Sequence, residues 1–512
     1  MRSGCWPLLM LMAFSGAGWG AQPWVAMDAS GHLEYRTTDR GDRIVDFSYA
    51  GYMGGGVPLP KVPVVETVAP SGSDDTATIQ AAIDRAAAHS LKNGIRGAVK
   101  LAPGTFLCSG SLTINSSGVV LRGSGSGEGG TTIRLTGEPH VAIVLTGKES
   151  IEEKGPAAHI VQDYVPSGTR TIHLDDASSI VVGDTIRIRR VATPEWVHFM
   201  GMDSMVRNGK PEVWIGNGLV TYRKVAAKKA NELTLQVPLT DSYDRKYLPP
   251  EGAEVMKVEV QGDIEQVGVE SLHVVAPARE VGLSEKLYRT MRMSGLRDGW
   301  VRDLVADDTT EGISLGGDVA RVTLDGVVHR HRKTITTAAK PADISMGGTQ
   351  LLAVNCRSTG DNEFYVVTGP RNAGPNVVLD SVFEGNGHIQ PHQRWSTGFL
   401  VDNTQVPQGG IDLMNRGGMG SGHGWTVGWG VVWNSKAASF VIQNPPGAAN
   451  WSIGNVGEEL AQPMKRYDIQ EQGPNLPMGY VESPGKPVLP KSLYRQQLQE
   501  RLGAGASKAL EQ

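Results

Sequence analysis

The chain has 512 residues, a formal net charge of −4, 65 glycines and only 8 phenylalanines. Hydrophobic residues make up 40% and charged residues 20% of it, which excludes a disordered chain. The mildly acidic balance gives no reason to expect a nucleic acid as a partner, although a local basic cleft could still bind an anion. A glycine-rich chain of this length suits a long solenoid of short strands and tight turns.

Residues 1–21 have the composition of a secretory signal peptide. Arg2 supplies a positive charge, Trp6–Phe14 is a short apolar run, and small residues follow. The run is too short to cross a bilayer, and no later segment has about eighteen consecutive apolar residues, so we expect no membrane association. We predict a secreted or periplasmic protein, cleaved near residue 21. The remaining Cys108 and Cys356 are interpreted as buried core residues rather than a disulfide.

Residues 71–106 carry the most specific local pattern. Asp74 or Asp75 can cap a helix, because a short carboxylate accepts the free N–H groups of the first turn. Apolar residues with helical spacing follow, which predicts a helix from about 76 to 91; they are Ile79, Ala82, Ile83 and Ala86. A short strand around Val99 and a Pro103-Gly104 turn come next.

This order of capped helix, strand, turn and strand resembles the opening of the pectate-lyase-like superfamily, which includes pectate lyases, rhamnogalacturonases and polygalacturonases. The resemblance covers residues 46–135 and continues in a weaker form over 262–460. It implies an all-β fold, a right-handed parallel β-helix whose N-terminal end is closed by the helix. It also implies an enzyme that cuts an acidic polysaccharide, and we expect it to act as a monomer.

The chain divides into regions after the signal peptide. These are an N-terminal segment with the capping helix and first coils (22–154), an inserted small β-subdomain (155–261), the main coils with the cleft (262–460), and a Pro-rich tail with a C-terminal helix (461–512). Alternating stretches at 171–174 and 184–189 indicate an antiparallel hairpin in the insert. The main coils have apolar anchors about 23 to 32 residues apart, which suits one anchor per coil; they are Leu272, Leu304, Val327, Cys356 and Val382.

Polar clusters in the later coils supply the candidate site. Arginine can grip a carboxylate with two hydrogen bonds, tryptophan can stack on a sugar, and histidine titrates near neutral pH. The catalytic candidates are His331, Asp361, His388, His392 and Arg394. The expected substrate contacts are Arg330, Arg332, Lys333, Arg371, Trp395, Asp402, His423 and Trp425. The alternative is structural, because charged runs are commonly solvated and loop histidines and arginines commonly bind backbone carbonyls.

Two motifs test the polygalacturonase branch of the resemblance. Gly360-Asp361-Asn362 is similar to its Gly-Asp-Asp motif but lacks the second carboxylate, and Gly422-His423-Gly424 is similar to its Gly-His-Gly motif but lies about two coils late. No Arg-x-Lys follows. Inverting hydrolysis needs an acid and a carboxylate base, whereas elimination from a uronate needs a neutralised carboxylate and one base. The sequence favours a lyase; a glycoside hydrolase and a non-catalytic carbohydrate-binding β-helix stay open.

We expect Arg394 to hold the substrate carboxylate on the cleft floor, with His392 or His331 as the base and Trp395 or Trp425 against a sugar face. No metal is expected to be required. Pro391 lies between His388 and His392, which argues against a helical metal-binding pair. Carboxylate and amide oxygens could hold Ca²⁺; the candidates are Asp361, Asn362, Asp307 and Asp308.

Overall fold

A computed structural model describes residues 22–333, 341–462 and 476–510 of the chain. The predicted signal peptide, residues 1–21, lies outside the described residues. A 28-stranded assembly of short strands forms the body of the protein, and strands in successive coils pair in parallel. The fold is therefore a right-handed parallel β-helix, as the sequence predicted.

Each coil contributes to three sheets. The first sheet holds Val64–Val68, Gly97–Leu101, Val119–Arg122, Ile264–Glu265, Leu352–Val354, Ala373–Leu379, Ser396–Asp402, Val427–Gly428, Val431–Trp433, Trp451–Ile453 and Tyr480–Glu482. The second holds Gly104–Cys108, Thr131–Leu135, Arg357–Thr359 and Val382–Glu384. The third holds Leu112–Ile114, Val141–Thr146, Arg289–Ser294, Glu311–Leu315, Ala342–Met346, Phe364–Thr368 and His388–Ile389.

Longer strands bend from one sheet into the next. Those that run from the first sheet into the second are Gly268–Val275, Leu296–Asp307 and Val319–Arg330. Those that run from the second into the third are Gln405–Leu413, Lys436–Ile442 and Val456–Leu460. The turns from the third sheet back to the first form a corner that runs along the solenoid, which we call the third corner.

Apolar side chains stack in rows inside the solenoid. One row in the third sheet joins fully buried residues of successive coils: Ile313, Ile344, Val366, Ile389 and Ile411. Because neighbouring residues of a strand point to opposite faces, this row fixes which residues of each coil face outwards.

The first helix closes the N-terminal end of the solenoid. It covers Thr76–Ala88 and buries the four predicted apolar residues. Asp74 accepts the Thr76 N–H at 3.0 Å, whereas the Asp75 side chain makes no cap bond to the helix. The helix is shorter than predicted because the next residue is extended, with φ −65° and ψ 150°. Cys108 and Cys356 are free and buried, which confirms the prediction for both.

Four of the five predicted anchors face the core. Leu272, Leu304 and Val327 occupy equivalent positions in successive coils. The fifth anchor was wrong: Val382 pairs with Arg357, and Ser381 takes the position beside Cys356. A shift of one residue turns a side chain to the other face of the sheet, so Val382 is outside the core.

Residues 150–261 form an antiparallel sheet that interrupts the solenoid. Its strands are Ser150–His159, Thr171–His173, Thr185–Arg190, Leu219–Lys229, Glu232–Leu235 and Glu254–Gln261, with short pairs Tyr164–Val165 with Tyr243–Asp244 and Val206–Arg207 with Lys210–Pro211. The two predicted hairpin arms are not partners. Thr171–His173 pairs with Glu232–Leu235, whereas Thr185–Arg190 lies between Leu219–Lys229 and Glu254–Gln261. We call this unit the inserted sheet.

The two chain ends cover the outer face of the first sheet in the later coils. The N-terminal segment, with strands Val25–Met27 and Leu33–Tyr35, and the C-terminal helix Leu493–Leu502 pack against it. The helix lies within the predicted tail; Ser492 caps it, Tyr494 and Leu498 are buried, and Leu502 is exposed. The remaining helices are Pro194–Phe199 and Met419–Gly422, with short 3₁₀ turns at Tyr52–Gly54, Arg245–Tyr247 and Ala506–Leu510.

Candidate active site

A groove runs between the inserted sheet and the third corner. It consists of three adjoining cavities of about 650, 330 and 380 Å³; the first two border the inserted sheet, and the third lies on the third sheet and its corner. The first and second share Tyr222 and Arg223, and the second and third share Gly317. We call it the insert groove. Gly347 and Gly348 also line its middle cavity, so a ligand there can approach the backbone of the solenoid closely.

The third corner places a row of basic side chains beyond the middle cavity. Arg371 lines that cavity, and its N–H donates to the Arg394 carbonyl at 2.8 Å. The Arg394 N–H donates in turn to the His423 carbonyl at 2.9 Å. Because neighbouring parallel strands lie about 4.8 Å apart, the three side chains follow one another along the corner.

A cluster of histidines and arginines surrounds the end of this row. The rings of His392 and His423 have centres 4.8 Å apart. Arg416 donates to the His392 carbonyl at 2.8 Å, and its guanidinium lies 5.3 Å from the ring centre of Phe364. Arg394 donates to the Ser421 carbonyl at 2.6 Å and hydroxyl at 2.8 Å. We call His392, Arg394, Arg416 and His423 the histidine–arginine cluster.

The positive charge of the cluster keeps one histidine neutral. Burial, followed by the charges of Arg416, His392 and Arg394, lowers the pKa of His423 to about 2. Nδ1 of His423 is buried and has no hydrogen-bond partner among the described residues. A bound anion would offset the positive charges, so the site is suited to a negatively charged ligand beside a neutral imidazole.

His388 lies on the outer face of the third sheet and is held by a carboxylate that the sequence analysis missed. Its Nδ1 is 2.6 Å from Asp412 Oδ2, which also accepts from Gln390 at 2.7 Å. Asp412 is 1% exposed, so this carboxylate orients His388 rather than meeting a ligand. An acidic residue at an outward position between two core residues, Ile411 and Leu413, was the available signal.

His331 and Asp361 do not join the cluster. The His331 side chain is 1% exposed and lies inside the solenoid, with Nε2 2.7 Å from Asp343 Oδ1. It follows the inward alternation of Val327, so the expectation that it acts as a base in the cleft was wrong. Asp361 lies at the turn from the second sheet to the third, where it accepts the Asn386 N–H at 3.0 Å.

Arg330, Arg332 and Lys333 lie at the other edge of the third sheet from Arg394, so they cannot flank the same cleft as predicted. The strands between the two edges have about five residues, which is roughly 16 Å. Arg332 forms an ion pair with Asp308, and Arg330 lies 3.8 Å from Asp307. Arg330 is the last residue of its strand, and Arg332 and Lys333 follow it before the third sheet begins.

Trp395 and Trp425 are 1% and 2% exposed, so the prediction that they stack on a sugar was wrong. They pack against Trp196 and Trp214 of the inserted sheet. Trp425 also donates to the Met200 carbonyl at 3.1 Å. The tryptophans therefore attach the inserted sheet to the solenoid. This role could not be predicted from the local sequence, because it depends on where the inserted sheet packs.

Asp402 is fully buried and does not contact the insert groove, contrary to its predicted role. It accepts the Ser492 hydroxyl at 2.7 Å and the Tyr494 N–H at 2.8 Å at the start of the C-terminal helix. Burial raises its pKa to about 7. Asp402 is the last residue of its strand, and its carboxylate binds the start of a helix that lies about ninety residues later in the chain.

The first and third cavities of the insert groove contain acidic as well as basic side chains. Asp263 and Asp318 line its two outer cavities, and Arg297 forms ion pairs with Asp263 and Glu149. Burial, followed by the charge of Asp263 and then that of Asp318, raises the pKa of Glu149 to about 7. A carboxyl group that is partly protonated at neutral pH is suited to donate a proton.

Two of the four residues considered for Ca²⁺, Asn362 and Asp308, have their oxygens engaged by protein groups. Asn362 accepts the Glu363 N–H at 2.7 Å and donates to Asp343, and Asp308 accepts from Arg332. Within 22–333, 341–462 and 476–510, no three histidine, cysteine or carboxylate side chains are grouped to hold a metal ion. The helices in the same ranges are too short or too polar to span a bilayer.

No family model matches the chain, and its sequence matches no curated protein. Among solved structures it is similar to the tailspike of E. coli bacteriophage HK620 (TM-score 0.41, 12% identity, 85% of this chain and 60% of that one). It is also similar to the Azotobacter vinelandii mannuronan C-5 epimerase AlgE6 A-module (0.34, 12%, 81% and 87%). A third is the Gp54 tailspike of Acinetobacter baumannii bacteriophage AP22, in complex with capsular saccharide (0.30, 11%, 80% and 71%).

Proposed function

We propose that the protein is a carbohydrate-active enzyme, a polysaccharide lyase that cleaves a uronic-acid polymer by β-elimination. The observation that carries the proposal is the row of Arg371, Arg394 and His423, which starts at the middle cavity of the insert groove and continues along the third corner, with His392 beside it. An open groove can hold a chain, and its basic end can hold a carboxylate.

In the proposed reaction, Arg394 binds the uronate carboxylate and stabilises the negative charge that develops when the neighbouring carbon loses its proton. His392 takes that proton, because it is the more exposed histidine of the cluster. A carbon–carbon double bond forms as the glycosidic carbon–oxygen bond breaks, and the departing oxygen takes up a proton from water to become the new hydroxyl end. The neutral ring of His423 packs against His392, and Arg416 binds the His392 carbonyl, so both residues position the base. Arg416 also keeps the site positively charged.

We further propose that the protein belongs to the pectate-lyase-like superfamily and acts as a monomer after export and cleavage near residue 21. The arginines, rather than a bound Ca²⁺, neutralise the substrate. Turnover is therefore expected to persist in the presence of a calcium chelator.

We expect the purified protein to produce an unsaturated sugar that absorbs near 235 nm from at least one uronic-acid polymer. Pectate, alginate, glucuronan and glycosaminoglycans form the test panel, with starch as an uncharged control. New reducing ends without this absorbance would replace the lyase by a hydrolase. Binding without either signal would leave a carbohydrate-binding solenoid.

The raised pKa of Glu149 beside Asp263 and Asp318 favours a second candidate, a glycoside hydrolase. Glu149, with its raised pKa, would protonate the leaving oxygen. Asp318 lies close enough to Glu149 for its negative charge to contribute to that raised pKa. Among the described residues, no hydrogen bond or ion pair engages the Asp318 carboxylate, so it could act as base.

For the hydrolase, Glu149→Gln should reduce the formation of reducing ends at least 100-fold, because the amide cannot donate the proton. The wild-type rate should fall as the pH rises through about 7, since the protonated acid is the active form. Glu265→Gln changes an exposed carboxylate that lines the same cavity as Asp263 and serves as the control. Equal loss in both variants, or none in Glu149→Gln, would remove this candidate.

A further inference from the structure

The middle cavity of the insert groove differs from its neighbours in charge. Among the described residues that line it, the charged ones are Arg223 and Arg371, and none is acidic. Its volume of about 330 Å³ suits one or two sugar rings. Arg223 comes from the inserted sheet and Arg371 from the third corner, so the two residues belong to different walls of the cavity.

Arg223 is a buried cation whose charge is not balanced by an ion pair. Its residue is 3% exposed. Its guanidinium donates to the carbonyls of Pro238 and Gly374 at 3.0 and 2.8 Å, and to that of Tyr222 at 2.9 Å. Carbonyl groups satisfy hydrogen bonds but leave the full positive charge, and a buried charge is costly without a counter-charge.

Arg371 is exposed, and no hydrogen bond or ion pair engages its side chain among the described residues. Its φ of 54° places it at a left-handed turn position, which directs the chain around the third corner. Basic and acidic residues are mixed in the other two cavities, where Lys257 pairs with Asp184 at 3.0 Å and Arg297 pairs with Asp263. Among the described residues, the middle cavity is thus the part of the groove whose charged lining is basic alone.

We infer that the middle cavity is a subsite for one acidic sugar, whose carboxylate lies between Arg223 and Arg371. The subsite lies one coil before Arg394, so it would hold the neighbouring uronate of the same polymer chain. This inference rests on the proposed function for the choice of a uronate. It adds that adjacent residues of the substrate both carry a carboxylate, which excludes polymers in which uronates alternate with neutral sugars.

Binding of acidic trisaccharides tests the inference without requiring turnover. Trigalacturonate, trimannuronate and triglucuronate are titrated by calorimetry into the wild-type protein and into His392→Ala, with maltotriose as the uncharged ligand. At least one acidic trimer should bind, and Arg371→Ala should weaken it at least tenfold without changing the melting temperature. Lys229→Ala changes an exposed cation that lies on the same strand as Arg223 but lines none of the three cavities, so it should leave the affinity unchanged.

Arg223→Gln also loosens contacts between the inserted sheet and the solenoid, so its result counts only if the protein remains folded. The Arg371→Ala result decides in either case. Unchanged affinity in Arg371→Ala, equal loss in Lys229→Ala, or no binding of any acidic trimer would overturn the subsite. Acidic binding that depends on Arg371 without any product at 235 nm would instead retain the subsite and reject the lyase.

Discussion

Arg394→Ala is expected to lower kcat/KM on the uronic-acid substrate by about 10²–10³-fold. The guanidinium would stabilise charge that appears in the transition state, and losing one such donor costs about 3–4 kcal/mol. The decrease should fall mainly on kcat, since the wider groove continues to bind the polymer. His392→Ala should be at least as severe, because it removes the proposed base. Steady-state rates at 235 nm measure both effects.

Arg330→Ala is the matched control for this experiment. Arg330 is also an arginine that follows a solenoid strand, and its side chain is 52% exposed, but it lies at the other edge of the third sheet. Arg394→Lys separates charge from geometry, because lysine keeps the charge without the planar fork. Near-normal turnover in both Arg394→Ala and His392→Ala, with unchanged melting temperatures, would contradict the assignment.

The fold could be predicted from local patterns because its determinants are local. The apolar helix face at Ile79 and Ala86 and the repeated anchors each depend on a single element that packs against the same core. The prediction that residues 171–174 and 184–189 pair in a hairpin was wrong, because alternation identifies a strand but not its partner. Strand partners such as Thr171–His173 and Glu232–Leu235 lie about sixty residues apart, and the turn residues between them carry no pairing information.

Only part of the candidate site could be predicted. His392, Arg394 and His423 meet because turns of successive coils stack at one corner, which coil spacing alone can indicate. The prediction for His331 was wrong because the alternation of the strand continues through the run of basic residues, which turns the His331 side chain into the solenoid. Trp395 was misassigned because burial beneath the inserted sheet depends on contacts with Trp196 and Trp214, some two hundred residues away.

The buried pair of His331 and Asp343 dominates the expected stability effects. Asp343 is fully buried and accepts from His331 at 2.7 Å, Ser358 at 2.6 Å and Asn362 at 2.8 Å. Asp343→Ala leaves a buried imidazolium and two donors without their acceptor. Removing one partner of such a pair costs about 3–5 kcal/mol. We therefore expect Asp343→Ala to lower the free energy of unfolding by about that amount in urea titrations near pH 5.5.

The pH dependence of this loss distinguishes an ion pair from simple packing. Burial opposes both charges, but the Asp343 charge and hydrogen bond raise the pKa of His331, while the His331 charge lowers the pKa of Asp343. The raised histidine pKa contributes stability that is present below about 6.5 and is lost as the pH rises through the folded value. The lowered aspartate pKa contributes stability that is present above about 3.8 and is lost on acidification.

The difference between wild type and Asp343→Ala should therefore be largest between about pH 4 and 6.5 and shrink on either side. His329, beside the pair, does not share this behaviour, because burial lowers its pKa to about 4 and keeps it neutral over most of that range. Ser345→Ala, on the same strand but partly exposed, is the control and should change the unfolding free energy by less than about 0.5 kcal/mol. A constant difference from pH 4 to 8 would show that Asp343 contributes packing and neutral hydrogen bonds rather than a charge pair.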